Sequence, residues 1–144
     1  MDPRTVVVTR HSPAPIEAMW ALLSHAETWK DWGTFTVARL EREGVPAPDG
    51  VGAIRNFGFP MYTSREEVVA FDPPTHLAYI LLSGIPLRDY RSDVTLTATP
   101  NGTDIEWRSS FRPPWPASGW FWTAFMRVLL RGFTRRLAKA AAQG

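Results

Sequence analysis

The sequence predicts an α+β fold: seven antiparallel strands, covered by one long C-terminal helix, with two short helices after the first strand. Three observations predict it. Arg88 to Thr99 and Asp104 to Arg112 each alternate in polarity, and Asn101-Gly102 lies between them. That is the pattern of a hairpin with one wet face and one covered face. Near the other end, Ile16, Met19, Trp20 and Leu23 repeat at helical spacing directly after a β-branched run. From Pro113 onward, Pro113-Pro114-Trp115-Pro116 leads into an aromatic cluster and one helical pattern that runs to Gly144.

Taken in order, Thr5 to His11 is β-branched and reads as the first strand. Pro15 suits the first turn of the helix that begins at Ile16. A second short helix is expected over Ala26 to Trp32, with Trp29 and Trp32 on one face. Phe35 to Glu43 and Val51 to Phe57 read as strands around a Pro- and Gly-rich loop. Gly58-Phe59-Pro60-Met61 separates the latter from the strand Tyr62 to Phe71. Asp72-Pro73-Pro74 is a sharp turn before the apolar strand Leu77 to Leu82. Ser83-Gly84-Ile85-Pro86 breaks that strand ahead of the final hairpin. Short turns between successive strands imply an antiparallel meander.

In the long helix, Phe121, Phe125, Val128, Leu129 and Gly132 fall on one face, widened by Trp122, Met126, Phe133 and Leu137. This face is expected to turn toward the sheet. Arg127, Arg131, Arg135 and Lys139 recur every four residues on another face. Phe111, Pro113, Pro114, Trp115, Pro116, Trp120 and Trp122 lead into this helix. They read either as a rigid loop pinning its start or as an exposed apolar rim, and the rim would serve a dimer or a membrane contact.

All 144 residues fit one domain, and the balance of 44% hydrophobic and 21% charged residues is that of a globular protein. The absence of cysteine excludes disulfides, thiolate zinc sites and a cysteine nucleophile. His11, His25 and His76 lie in separate elements, so no metal site and no cofactor is expected. Met1-Asp2-Pro3-Arg4 lacks the opening of a signal peptide, and no stretch is long and apolar enough to span a bilayer. The expectation is a cytoplasmic protein with no stable membrane insertion. Arg127, Arg131, Arg135, Arg136 and Lys139 carry the basic charge, leaving 11 basic residues against 14 acids elsewhere. The basic stripe reads as a solvated face rather than a nucleic-acid site.

Four stretches carry a resemblance: Ser12-Pro13-Ala14-Pro15-Ile16-Glu17-Ala18-Met19-Trp20, Trp29-Lys30-Asp31-Trp32, Arg65 to Pro74 before Leu77-Ala78-Tyr79, and Thr103-Asp104-Ile105-Glu106-Trp107-Arg108. In this order they resemble the START-like superfamily (Bet v 1-like, helix-grip, SRPBCC), and within it the bacterial polyketide cyclase/dehydrase-like members. The resemblance covers nearly the whole chain. It implies a sheet curled around the C-terminal helix and a cavity between them for a hydrophobic or amphipathic small molecule. Gly58-Phe59-Pro60-Met61 is similar to the first mouth loop of plant abscisic acid receptors of this fold. Leu87, Tyr90 and Ser92 match the pattern of their second loop and the strand after it. Ile85-Pro86 departs from that pattern, and the lysine that anchors the hormone carboxylate has no counterpart.

The candidate lining that follows is aromatic with a few polar groups, the usual composition of a small-molecule site. Trp32, Phe57, Tyr79, Tyr90, Trp107, Phe121 and Phe125 are expected to point inward. Phe59, Leu81, Leu87, Val128 and Leu129 are added to them, and Ser92 and Ser109 share the inward faces. Either Glu66 or Glu67 should face the cavity, since neighbouring strand residues point opposite ways. Arg55 and Arg91 are its candidate partners. Two functions stay open: carriage of a lipid or polyketide-like molecule, and cyclase, aromatase or dehydratase chemistry in the same cavity. For the second, Glu66, Arg55, Tyr79, Tyr90 and Ser109 are the groups able to polarise carbonyls or move protons. Homodimerisation is left open.

Overall fold

The computed structural model describes residues 2–143. Met1, in the segment read for a signal peptide, and Gly144, at the end of the helical pattern, lie outside the described residues. The chain begins with β1 (Arg4–Ser12), α1 (Ile16–Ser24), a 3-10 turn (Ala26–Thr28) and α2 (Trp29–Trp32). Then come β2 (Val37–Arg42), β3 (Ile54–Phe59), β4 (Tyr62–Asp72), β5 (His76–Ser83), β6 (Arg88–Thr99), β7 (Gly102–Arg112) and α3 (Gly119–Gln143).

The strands form one antiparallel sheet in the order β1-β7-β6-β5-β4-β3-β2. β2 to β7 are the meander that the short turns imply, and β1 closes onto β7. This is the helix-grip arrangement. The strand alternation places Val6, Val68, Val94, Leu96, Ile105, Trp107 and Phe111 inside. The β6–β7 turn requires its glycine: Gly102 has φ 150°, and a Cβ there would collide with the Ser12 carbonyl oxygen of β1. Ser12 in turn donates from Oγ to the Ala138 carbonyl at 2.9 Å, tying β1 to the end of α3.

The orientation of α3 corrects the sequence expectation. Its buried residues include Met126, Leu130, Phe133, Leu137 and Ala141, whereas Phe121, Phe125 and Val128 are 48%, 39% and 71% exposed. Leu129 is partly buried against the core. The helix carries two apolar stripes of unequal length. The stripe through Phe121 and Val128 ends at Gly132 and gives way to Arg135 and Lys139, while the other stays apolar to Ala141. Docking along the longer stripe buries more apolar surface and leaves the cations in water.

The lead-in is a tight turn. Ser118 donates from both N and Oγ to the Trp115 carbonyl, and Trp122 donates its N–H to the Ser118 carbonyl. Trp115 and Trp122 meet edge to face at 6.1 Å. Trp115 and Trp120 nevertheless remain more than half exposed, so the segment is at once a pinned loop and an apolar rim.

Candidate functional site

Strand register gathers the polar residues that lie far apart in sequence. Arg55 pairs with Glu66 across β3 and β4, Tyr79 with Ser92 across β5 and β6, and Ser92 with Ser109 across β6 and β7. Each pair projects from the covered face, because successive residues on a strand alternate sides. The result is a polar belt across the middle of an otherwise apolar wall.

Arg55 is fully buried and donates from Nη2 to Glu66 Oε1 at 3.1 Å. Its guanidinium carbon lies 4.9 Å from the Trp29 ring, 5.0 Å from Phe57 and 4.8 Å from Tyr79. Three aromatic faces thus share the cation, each desolvated contact contributing on the order of 1–2 kcal/mol. Its Nε and Nη1 are buried without a hydrogen-bond partner among the described residues. Glu66 keeps 11% of its side chain exposed. Burial pushes its carboxyl above the ordinary value of 4.5, against the pull of the Arg55 charge and hydrogen bond. Of the two candidate glutamates, the structure turns Glu66 inward, and Glu67 pairs outside with Arg42 at 3.7 Å. Arg91 is not the partner; it bonds Asp93 at 2.9 Å on the outer face.

The hydroxyls form a connected chain. Ser92 Oγ donates to Tyr90 Oη at 2.9 Å and lies 2.5 Å from Ser109 Oγ. Trp107 donates from Nε1 to Tyr79 Oη at 3.2 Å. Burial raises the Tyr90 phenol to about 12 and holds the Tyr79 phenol well above its ordinary value, so both are neutral at ordinary pH.

Trp29 is the residue that the sequence reading left out. It stacks on Phe57 at 4.5 Å and meets Trp32, Trp107 and Phe133 within 6.0 Å. Its Nε1 donates to the Leu23 carbonyl at 3.0 Å, which fixes the ring. Its three-residue spacing from Trp32 was the available signal. The spacing does not tell which ring goes deeper, and Trp29 is the more buried of the two. Phe133 is a second omission from the candidate lining: it contacts Trp107 at 5.4 Å and Phe35 at 5.7 Å. In this half of the space between sheet and helix the rings pack on one another rather than line an opening. Open grooves of about 270 to 550 Å³ on the surface are lined by residues outside the belt.

The structure therefore brings together Arg55, Phe57, Glu66, Tyr79, Tyr90, Ser92, Trp107 and Ser109, with Trp32 and Leu87 buried in the same core. Leu81 and Leu129 are partly buried at its edge. Phe121, Phe125 and Val128 face outward, as does half of Phe59, which sits at the β3–β4 turn rather than on the wall. That turn is tied to the β5–β6 turn by Tyr62 Oη donating to the Gly84 carbonyl at 2.5 Å.

Comparison with known proteins gives a consistent picture. A family model described as polyketide cyclase/dehydrase and lipid transport matches residues 3–143. The crystal structure of Ara h 8.0201 superposes with a TM-score of 0.77 at 12% identity, covering 99% of this chain and 100% of that one. An uncharacterised protein from Bacillus thuringiensis gives 0.78 at 17% identity, covering 96% and 98%. Norcoclaurine synthase from Thalictrum flavum, in complex with dopamine and hydroxybenzaldehyde, gives 0.73 at 14% identity, covering 99% and 88%. At these identities the structural likeness establishes the fold alone. No curated protein matches the sequence.

Proposed function

Because this chain belongs to the polyketide cyclase/dehydrase and lipid transport family, we propose that it binds an amphipathic small molecule bearing carbonyl or carboxylate oxygens between the sheet and α3. The observation that carries this reading is Arg55. A buried guanidinium with two nitrogens lacking partners is costly in a closed core, and an acceptor oxygen offsets that cost. Glu66, Tyr79 and Tyr90 are the further polar groups within the same belt, and Ser92 and Ser109 orient the Tyr90 hydroxyl. Leu81, Leu87 and Leu129 offer apolar contact to the rest of the ligand. In this reading the structure is the closed form. The β3–β4 and β5–β6 turns, which meet where Arg65 pairs with Ser83 and where Tyr62 bonds the Gly84 carbonyl, are the segments that part to admit the ligand.

The test is to purify the full chain from its native host and compare its native mass with its denatured mass. A bound amphipathic molecule, released on denaturation and absent from the Arg55→Leu/Glu66→Leu double variant, is the expected result. A chain that carries nothing, and that does not enhance the fluorescence of anilinonaphthalene sulfonate, would sink the reading.

A second reading, cyclisation with loss of water, has one observation in its favour. Burial shifts the Glu66 carboxyl upward from its ordinary value, beside the Tyr79 and Tyr90 phenols, and this direction favours the protonated form that a general acid acting on a ketone oxygen requires. Recovery of the extracted ligand unchanged after prolonged incubation rejects this reading. Loss of one water from it, abolished by Glu66→Gln while binding persists, supports it.

A further inference from the structure

We propose that the outward face of α3 docks on an anionic bilayer surface. This inference stands apart from the small-molecule site, and its test uses no ligand. The face is built from the shorter apolar stripe: Phe121, Phe125 and Val128 project into solvent, and Trp120 beside them is 72% exposed. Arg135 and Lys139 continue the same line toward the C-terminus, and Arg127 and Arg131 stand exposed alongside it. The whole helix, Gly119–Gln143, contains no acidic residue. Its four arginines and one lysine form no ion pair among the described residues.

Aromatic and basic groups therefore share one side of the helix. That combination suits the bilayer interface, where rings sit at headgroup depth and cations meet lipid phosphates. The two kinds of group also converge locally. Arg10, Arg131, Arg135 and Arg136 border a groove of about 480 Å³ along Val128 and Leu129, with room for a phosphate and its glycerol carbons. Charge chooses the occupant. A second copy laid on the same face would set these cations against one another, whereas an anionic surface meets all of them. The contact is peripheral, since no helix among the described residues is long and apolar enough to cross a membrane.

The full chain is sedimented with vesicles of phosphatidylcholine alone, and with vesicles of phosphatidylcholine and phosphatidylglycerol in a two-to-one ratio. The expected result is binding to the anionic vesicles only, with a blue shift of tryptophan emission from Trp120. Raising salt from about 0.1 M to about 1 M weakens it at least ~10-fold, as the screening length falls from ~10 Å to ~3 Å. Arg131→Glu/Arg135→Glu and Phe121→Ser/Val128→Ser each abolish binding, and circular dichroism shows both variants folded. Absence of binding, equal binding to neutral vesicles, or variants that bind like the parent would overturn the proposal. So would a dimer in solution that Val128→Glu dissociates without any affinity for the anionic vesicles.

Discussion

Arg55 is fully buried and Glu66 nearly so, and the two form an ion pair inside the core. The pair is an expensive feature for a core, because desolvation of each group competes with their attraction. Glu66→Leu leaves the permanent guanidinium charge to the three rings alone, and we expect a loss of about 3–5 kcal/mol in urea unfolding. Removing both groups in Arg55→Leu/Glu66→Leu should recover most of that loss, since no charge is then left buried. A double variant as unstable as the single one would show that the rings, rather than the carboxylate, compensate Arg55. Glu66 also sets a pH dependence. Its folded pKa is raised above 4.5 by burial, so its protonated form is favoured in the native state. The corresponding stability is fully present below the unfolded pKa and is lost as pH rises through the folded one. Relative to Glu66→Gln, the parent should therefore lose melting temperature across that interval, and parallel curves would refute the shift.

At the scale of elements, α3 decides the most. Phe133 fills space against Trp29, Trp32, Phe35 and Trp107. Phe133→Ala should cost about 3–5 kcal/mol by leaving a cavity that these rigid rings cannot close. Val128→Ala, on the outer face, should stay within about 0.5 kcal/mol. The opposite ranking in chemical denaturation would mean that the helix is turned the other way. The β6–β7 hairpin offers an independent check. Gly102→Ala adds a Cβ against the Ser12 carbonyl at a φ that L-residues avoid. A loss of about 1–3 kcal/mol is expected, whereas Asn101→Ala at the exposed neighbouring position should cost less.

For the whole molecule, the strand order predicts uneven stability. β6 and β7 are flanked on both sides and sit under the aromatic cluster, whereas β2 is an edge strand with a bulge between Leu40 and Arg42. Amides of β6 and β7 should therefore exchange with deuterium most slowly, and those of Val37–Arg42 earliest. Fast exchange in β7 would contradict a sheet closed by β1. Much of this architecture is legible in the residues themselves. Alternation in Arg88–Thr99 and the Asn-Gly turn specify their hairpin locally, because a strand's two faces and a turn's φ angles depend on adjacent residues. The inward positions of Tyr79, Tyr90, Ser92, Trp107 and Ser109 follow from the same period of two. What alternation leaves open is register between strands. It could not choose between Glu66 and Glu67, nor between Arg55 and Arg91 as partner, until β3 and β4 were aligned. Helical periodicity likewise marks two apolar stripes on α3 but does not rank them. Only docking against the sheet and the two short helices determined that Met126, Leu130 and Phe133 go inside while Phe121, Phe125 and Val128 remain in water. The physical reason is that burial is a property of the pair of surfaces that meet. Local pattern states which faces are apolar, and only the assembled sheet has room for one of them.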